Sequence, residues 1–141
     1  MKVILGNDRN SYEMKQELKK HLSQSGIEVI DKTPEETDLF SAASIVSKSL
    51  LNEEADRGIV LDEYGVGSSI VANKHKGIIC ANVFDEHSAR MTVEHNNTSV
   101  ITIGTGIVGN ILARKICESF LTAEYDGGRH QVRVDMLNKM C

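Results

Sequence analysis

The chain has 141 residues, one domain against roughly 150 residues per domain, and enough to bury a core without disulfides or a structural metal. Its 16 Lys and Arg against 20 Asp and Glu leave a net charge of −4, which argues against a nucleic-acid or membrane-surface protein, because phosphate-covered partners call for a basic face. The longest unbroken apolar run is Ile78 to Ala81, far short of the ~20 residues a membrane helix needs.

Taken in chain order, the apolar stretch Val3 to Leu5 is too short for a signal-peptide core and meets Asp8 and Arg9 at once, so it reads as a first strand. Met14, Leu18 and Leu22 then recur at helical spacing, followed by a second strand at Ile27 to Ile30. Leu39, Ala43, Val46 and Leu50 mark a second helix, Ile59 to Leu61 a third strand, and the segment after Gly65 a helix through Ile70 and Asn73. Ile78 to Cys80 is the fourth strand, Asp85 to Glu94 the next helix, and Val100 to Ile103 the fifth strand. Val108, Leu112, Ile116 and Phe120 form another apolar stripe. The tail 126–141 resumes helical spacing after Gly127-Gly128, at Val132, Met136 and Met140. That last stripe is expected to dock on a partner subunit, packing on its own domain being the alternative.

Strands alternating with helices predict a doubly wound α/β domain over 1–141. It has a mainly parallel five-stranded, Rossmann-like sheet with helices on both faces. Ligands of such folds sit beyond the carboxyl ends of the strands. The three cysteines, Cys80, Cys117 and Cys141, are odd in number and lack short paired spacing. They fit a reducing compartment, with the cytoplasm as the expected location, and give no support to a zinc site.

Four groups could carry chemistry. Gly65-Val66-Gly67-Ser68-Ser69 joins a strand to a helix, so its backbone N–H groups could converge on an anion. A tight turn that needs glycine for backbone reasons satisfies the same pattern. Ile70 stands where a dinucleotide fingerprint would place its third glycine. Arg129 and Arg133 share a helix face beside His130, and two guanidinium forks can hold a phosphate from two sides, unless they pair with Asp126 or Asp135. His95, followed by Asn96 and Asn97 in a polar loop, is a proton-exchange candidate or an ordinary exposed histidine. Asp8 and Asp62 would share a crevice if the first and third strands are neighbours, as a carboxylate pair or as helix caps.

Together Gly6-Asn7-Asp8, Gly65 to Lys74, His95-Asn96-Asn97 and Gly127-Gly128-Arg129-His130-Gln131-Val132-Arg133-Val134 resemble the ribose-5-phosphate isomerase B and galactose-6-phosphate isomerase family. The resemblance covers nearly the whole chain. The ending Tyr125 to Cys141 and the overall length resemble its galactose-6-phosphate branch, which implies interconversion of D-galactose 6-phosphate and D-tagatose 6-phosphate through an enediol, without cofactor or metal. It further implies that His95 assists ring opening and Asn96 holds the enediolate oxygen. Arg129 and Arg133 would anchor the phosphate, Gly65 and Gly67 would supply backbone donors, and Asp8 would line the substrate site.

Departures from the family pattern cluster in the half of the site built by the first to third strands. The family's base is a cysteine at the end of the third strand or a glutamate in the glycine loop; Asp62 and Ser68 stand there. Arg9 replaces a histidine, Tyr64 a threonine, and Gly106 an arginine. In this family the two halves of one site come from different subunits. The resemblance therefore implies a homologous B subunit that supplies the base, while this chain supplies the ring-opening histidine and the phosphate clamp. In isolation the chain is expected as a homodimer or higher homo-oligomer. The alternatives are a self-sufficient homo-oligomer using Asp62 as base, and a non-catalytic assembly subunit.

Overall fold

The computed structural model describes residues 1–141. Five parallel strands, β1 (Lys2–Asn7), β2 (Glu28–Asp31), β3 (Arg57–Asp62), β4 (Cys80–Asn82) and β5 (Val100–Gly104), form one sheet in the order β2-β1-β3-β5-β4. Six α-helices accompany them: α1 (Tyr12–Gln24), α2 (Leu39–Leu51), α3 (Val66–Asn73), α4 (Glu86–Asn96), α5 (Asn110–Thr122) and α6 (Gln131–Lys139). The doubly wound reading holds. None of these helices is long and apolar enough to cross a membrane.

Period-two alternation along the strands divides the core in two. Val3 and Leu5 of β1, Ile59 and Leu61 of β3, and Ile101 and Ile103 of β5 pack with Leu18, Leu22, Val93, Ile116 and Phe120 on one face. Ile4, Val60 and Val100 face the other way, onto Ala42, Ala43, Val46 and Ala72. Strands buried on both faces explain why the sequence shows continuous branched runs instead of polar alternation.

The structure departs from the sequence reading at β4, at α5 and in the face that α6 buries. β4 starts at Cys80, not Ile78, because pairing with β5 begins at Cys80 opposite Val100 and extends to polar Asn82 opposite Thr102. α5 starts at Asn110, so Val108 lies in the preceding turn although it is buried. On α6 the buried residue is Val134, while the expected stripe of Val132, Met136 and Met140 faces outward, each more than 60% exposed.

Two polar devices fix the chain near the sheet ends. The Lys15 ammonium, fully buried, donates to Asp31 Oδ1 at 2.8 Å and to the Thr33 carbonyl at 2.6 Å. Thr33 Oγ1 in turn donates to Asn7 Oδ1 at 2.8 Å, locking the exit of β2 to that of β1. At the opposite end Arg57 opens β3, and its guanidinium donates to the carbonyls of Phe120 and Ala123, where α5 runs out. Helix ends expose carbonyls without intrahelical partners, and this cation satisfies two of them.

Candidate active site

The carboxyl end of the sheet carries one group of the expected site residues. β1 and β3 are hydrogen-bonded neighbours, so Asp8 and Asp62 do share a crevice. Asp8 is 8% and Asp62 3% exposed, and Oδ1 of each lacks a hydrogen-bond partner in the chain. Asp8 makes no capping hydrogen bond to the 3-10 turn that follows it, so the cap interpretation fails there. Asp62 Oδ2 accepts from the Ser68 amide at 3.3 Å. Burial pushes the Asp62 carboxyl above the usual carboxylate range, and the charge of Asp8 adds to this, against the lowering effect of the Ser68 hydrogen bonds.

Gly65 takes the left-handed conformation, φ 77°, before α3, and Gly67 lies in the first turn of that helix. The first anion this turn meets is Asp62 of its own chain, which already occupies the Ser68 amide. Gly104 faces the same loop. A Cβ there would stand 2.7 Å from the Tyr64 backbone, so only glycine lets loop and strand end touch. At Gly106 a Cβ would meet the Glu63 carbonyl at 2.9 Å and the Tyr64 ring at 3.5 Å. The tyrosine and the missing arginine thus belong to one local change: ring and loop crowd the place from which a longer side chain would start.

The amino end of the sheet carries the other group. His95 and Asn96 are the last two residues of α4, not loop residues as the polar sequence suggests; only Asn97 leaves the helix, with φ 52°. The polypeptide then turns into β5 beside a polar cavity lined by Asp56, Arg57, Asn97, Thr98, Ser99 and Asn138. The tail is tied to the same corner, for the Asp126 amide donates to the Glu94 carbonyl at 3.0 Å. Arg129 sits in a single 3-10 turn, Gly128–His130, that leads directly into α6 and Arg133.

Neither arginine pairs with a carboxylate: Asp135 accepts from Gln131 instead, and no ion pair reaches Arg129 or Arg133. Arg133 donates to the His95 carbonyl at 2.9 Å and to Asn96 Oδ1 at 3.0 Å. Neutral acceptors orient a guanidinium without cancelling its charge, so the positive field stays available to an anion.

His130, singled out in the sequence only as a neighbour of the arginines, stacks on His95 with ring centroids 4.6 Å apart and planes inclined by 19°. Partial desolvation holds its imidazole below the ordinary histidine value, and His95, Arg129 and Arg133 push in the same direction. Its adjacency to Arg129 was the one signal that could have promoted it. The ligand atoms of His95, Asp126 and His130 lie within 4.8 Å of one another. Imidazole lone pairs lie in the ring plane, however, and two stacked rings keep them in two separate, nearly parallel planes, a poor arrangement for meeting at one ion. With two arginines adjacent, this cluster suits a phosphate better than a metal ion.

The cysteines are not candidates for the base. Cys80 and Cys117 are buried thiols, each pushed up to about 12 by burial, and Cys141 is the exposed terminal residue.

The two groups stand at opposite ends of one parallel sheet. β3 alone, six residues from Arg57 to Asp62, separates them by roughly 17 Å. No single small substrate reaches both groups of one chain.

Comparison with known proteins places this architecture. Residues 3–137 match the family model described as Ribose/Galactose Isomerase. The galactose-6-phosphate isomerase subunit LacA of Clostridium acetobutylicum is 53% identical over 141 residues, 99% of each chain, and that of Enterococcus faecalis 49% identical over the same share. Among solved structures, ribose-5-phosphate isomerase B of Clostridium thermocellum superposes with a TM-score of 0.94 at 37% identity, covering 99% of this chain and 96% of that one. The chain belongs to the ribose/galactose isomerase family and is a sugar-phosphate isomerase.

Proposed function

We propose that the chain is one subunit of an isomerase that interconverts D-galactose 6-phosphate and D-tagatose 6-phosphate, and that its active site is completed by a homologous B subunit. The observation that carries this reading is the separation of the two half-sites across the sheet, with unneutralised arginines beside a histidine at one end only. The names of the 53% and 49% identical relatives support the choice of sugar.

In this reading Arg129 and Arg133 hold the phosphate, and binding energy from that remote group fixes the reacting carbons. His95 passes a proton to the ring oxygen as the ring opens, while the anomeric hydroxyl releases its own proton to solvent and becomes the carbonyl. The B subunit's cysteine thiolate takes the proton from the carbon next to the carbonyl, and the Asn96 amide donates to the enediolate oxygen. A proton passes from the neighbouring hydroxyl to that oxygen, and the thiol returns its proton to the former carbonyl carbon. The outward apolar residues Val132 and Met136 of α6, with Met140 just beyond its end, pack on the partner. Asp8, Gly65 and Gly67 line the second, altered crevice.

Isomerisation of galactose 6-phosphate is measured first with the purified chain and then after mixing with a cysteine-bearing homologous subunit. Silence alone and turnover in the mixture are expected. Turnover by the chain alone would favour the second reading, in which buried Asp62, with its raised proton affinity, acts as base in a homo-oligomer. Asp62→Asn would then abolish that activity.

A further inference from the structure

We infer that Thr92, backed by Thr98, is a positioning residue for Asn96 and decides which end of its amide the substrate meets. The inference rests on the enediolate-holding role proposed for Asn96. A carboxamide has two ends of opposite polarity. Only the NH2 end can stabilise a developing oxyanion, and the carbonyl end in its place would repel it. Something must therefore prevent the amide from turning over.

Two hydrogen bonds do this in the free chain. Asn96 Oδ1 accepts from Arg133 at 3.0 Å, and Asn96 Nδ2 donates to Thr92 Oγ1, one helical turn earlier, at 3.3 Å. Thr92 Oγ1 lies 2.6 Å from Thr98 Oγ1, and the Thr98 amide donates to the Thr92 carbonyl at 3.4 Å. Thr98 is 3% exposed. The left-handed Asn97 folds the chain back so that Thr98, ahead of β5, closes onto Thr92. The threonine hydroxyl is thus anchored to the sheet side of the turn and presents a lone pair to the amide. One hydrogen of Nδ2 goes to Thr92 and the second is left for a ligand.

The bonds differ in what happens when substrate arrives. Arg133 is assigned to the phosphate, so its guanidinium turns towards the anion and its hold on Oδ1 weakens. Thr92 makes no such change and is the contact that keeps the amide oriented in the loaded site.

The test is steady-state kinetics of the mixed complex with Thr92→Val, Thr92→Ser and, as reference, Asn96→Ala. Thr92→Val keeps the shape and loses the hydroxyl: kcat falls about tenfold with KM within about twofold of the parent, less than the ~100-fold or more of losing an oxyanion donor outright. Thr92→Ser restores the rate. Thr98→Val, which removes the anchor alone, lowers kcat less and in the same pattern, and carries the test if Thr92→Val does not assemble. A Thr92→Val complex at full rate while Asn96→Ala is crippled would overturn the positioning role and leave Asn96 intact. A fall in kcat matched by an equal rise in KM would overturn it as well, marking general loosening of the corner. Asn96→Ala at full rate would remove the role of Asn96, and the inference with it.

Discussion

The two ends of the sheet present opposite unsolved problems. At the carboxyl end, Asp8 and Asp62 bring two carboxylates together, each with a buried oxygen lacking a partner, and no cation of the chain pairs with them. At the amino end, Arg129 and Arg133 bring two cations close to two histidines, and no carboxylate pairs with the arginines. The first end repels a phosphate and the second attracts one. Charge that the fold leaves uncompensated is therefore a better guide to substrate than the glycine loop, whose α3 amide is already engaged by Asp62.

The sharpest way to break this comparison is to remove side chains from each end of the same complex. His95→Ala or Arg133→Ala in the mixed complex should lower turnover by about 100-fold or more, since in the proposed mechanism each removes a group acting on the reacting substrate. Asp62→Asn in the same complex should change it by less than about threefold. Equal losses from both ends would mean that the two crevices work on substrate together. Arg129→Gln should raise KM by about tenfold, the loss of one charge-assisted contact in the proposed phosphate clamp.

Next in size is a structural effect confined to the carboxyl end. Gly104→Ala forces a Cβ to 2.7 Å from the Tyr64 backbone and should cost about 2 kcal/mol in chemical denaturation. Activity per folded molecule should be unchanged in the mixture, because the loop it displaces lies a strand length from His95.

A smaller effect comes from Asp62 itself. Its folded-state proton affinity is raised, so the folded chain retains a proton that the unfolded chain has released, and stability declines as pH rises through that range. Asp62→Asn should melt a few degrees above the parent at about pH 8, with the difference disappearing below about pH 3, where the acid is protonated in both states. The smallest signal is an NMR titration of His130. Its midpoint should lie below the ordinary histidine value in the free chain and move upward when inorganic phosphate is added, because a neighbouring dianion favours the imidazolium.

Much of this was legible in the residues. Branched runs at Val3, Ile59 and Val100 located three central strands, and the spacing of Met14, Leu18 and Leu22 gave the face of α1 that is buried. β4 slipped because apolarity begins at Ile78 whereas pairing begins at Cys80, and hydrogen-bond register is a property of two strands, not one. His95 and Asn96 were legible by type and neighbours but not by place. A rule that looks beyond strand carboxyl ends points away from the end of α4, and only the folded topology shows that α4 finishes at the amino edge. The roles of Thr92 and Lys15 had no signal. An ammonium buried against Asp31 depends on a contact between elements, and the hydroxyl beneath Asn96 is set by Thr98 only after the chain turns back at Asn97, neither of which a linear pattern records.

The Arg57 clasp leaves the tail without slack. Its guanidinium fixes the Ala123 carbonyl, and the Asp126 amide is fixed to Glu94, so only Glu124 and Tyr125 span the two anchors. An insertion or deletion here cannot be absorbed as a longer or shorter loop. One residue of shift would carry Arg129 about 3.3 Å along the chain path, more than the tolerance of a hydrogen bond to phosphate. Surface connections usually accept changes in length, but this one works as a spacer of set length between the last strand-covering helix and the basic cluster.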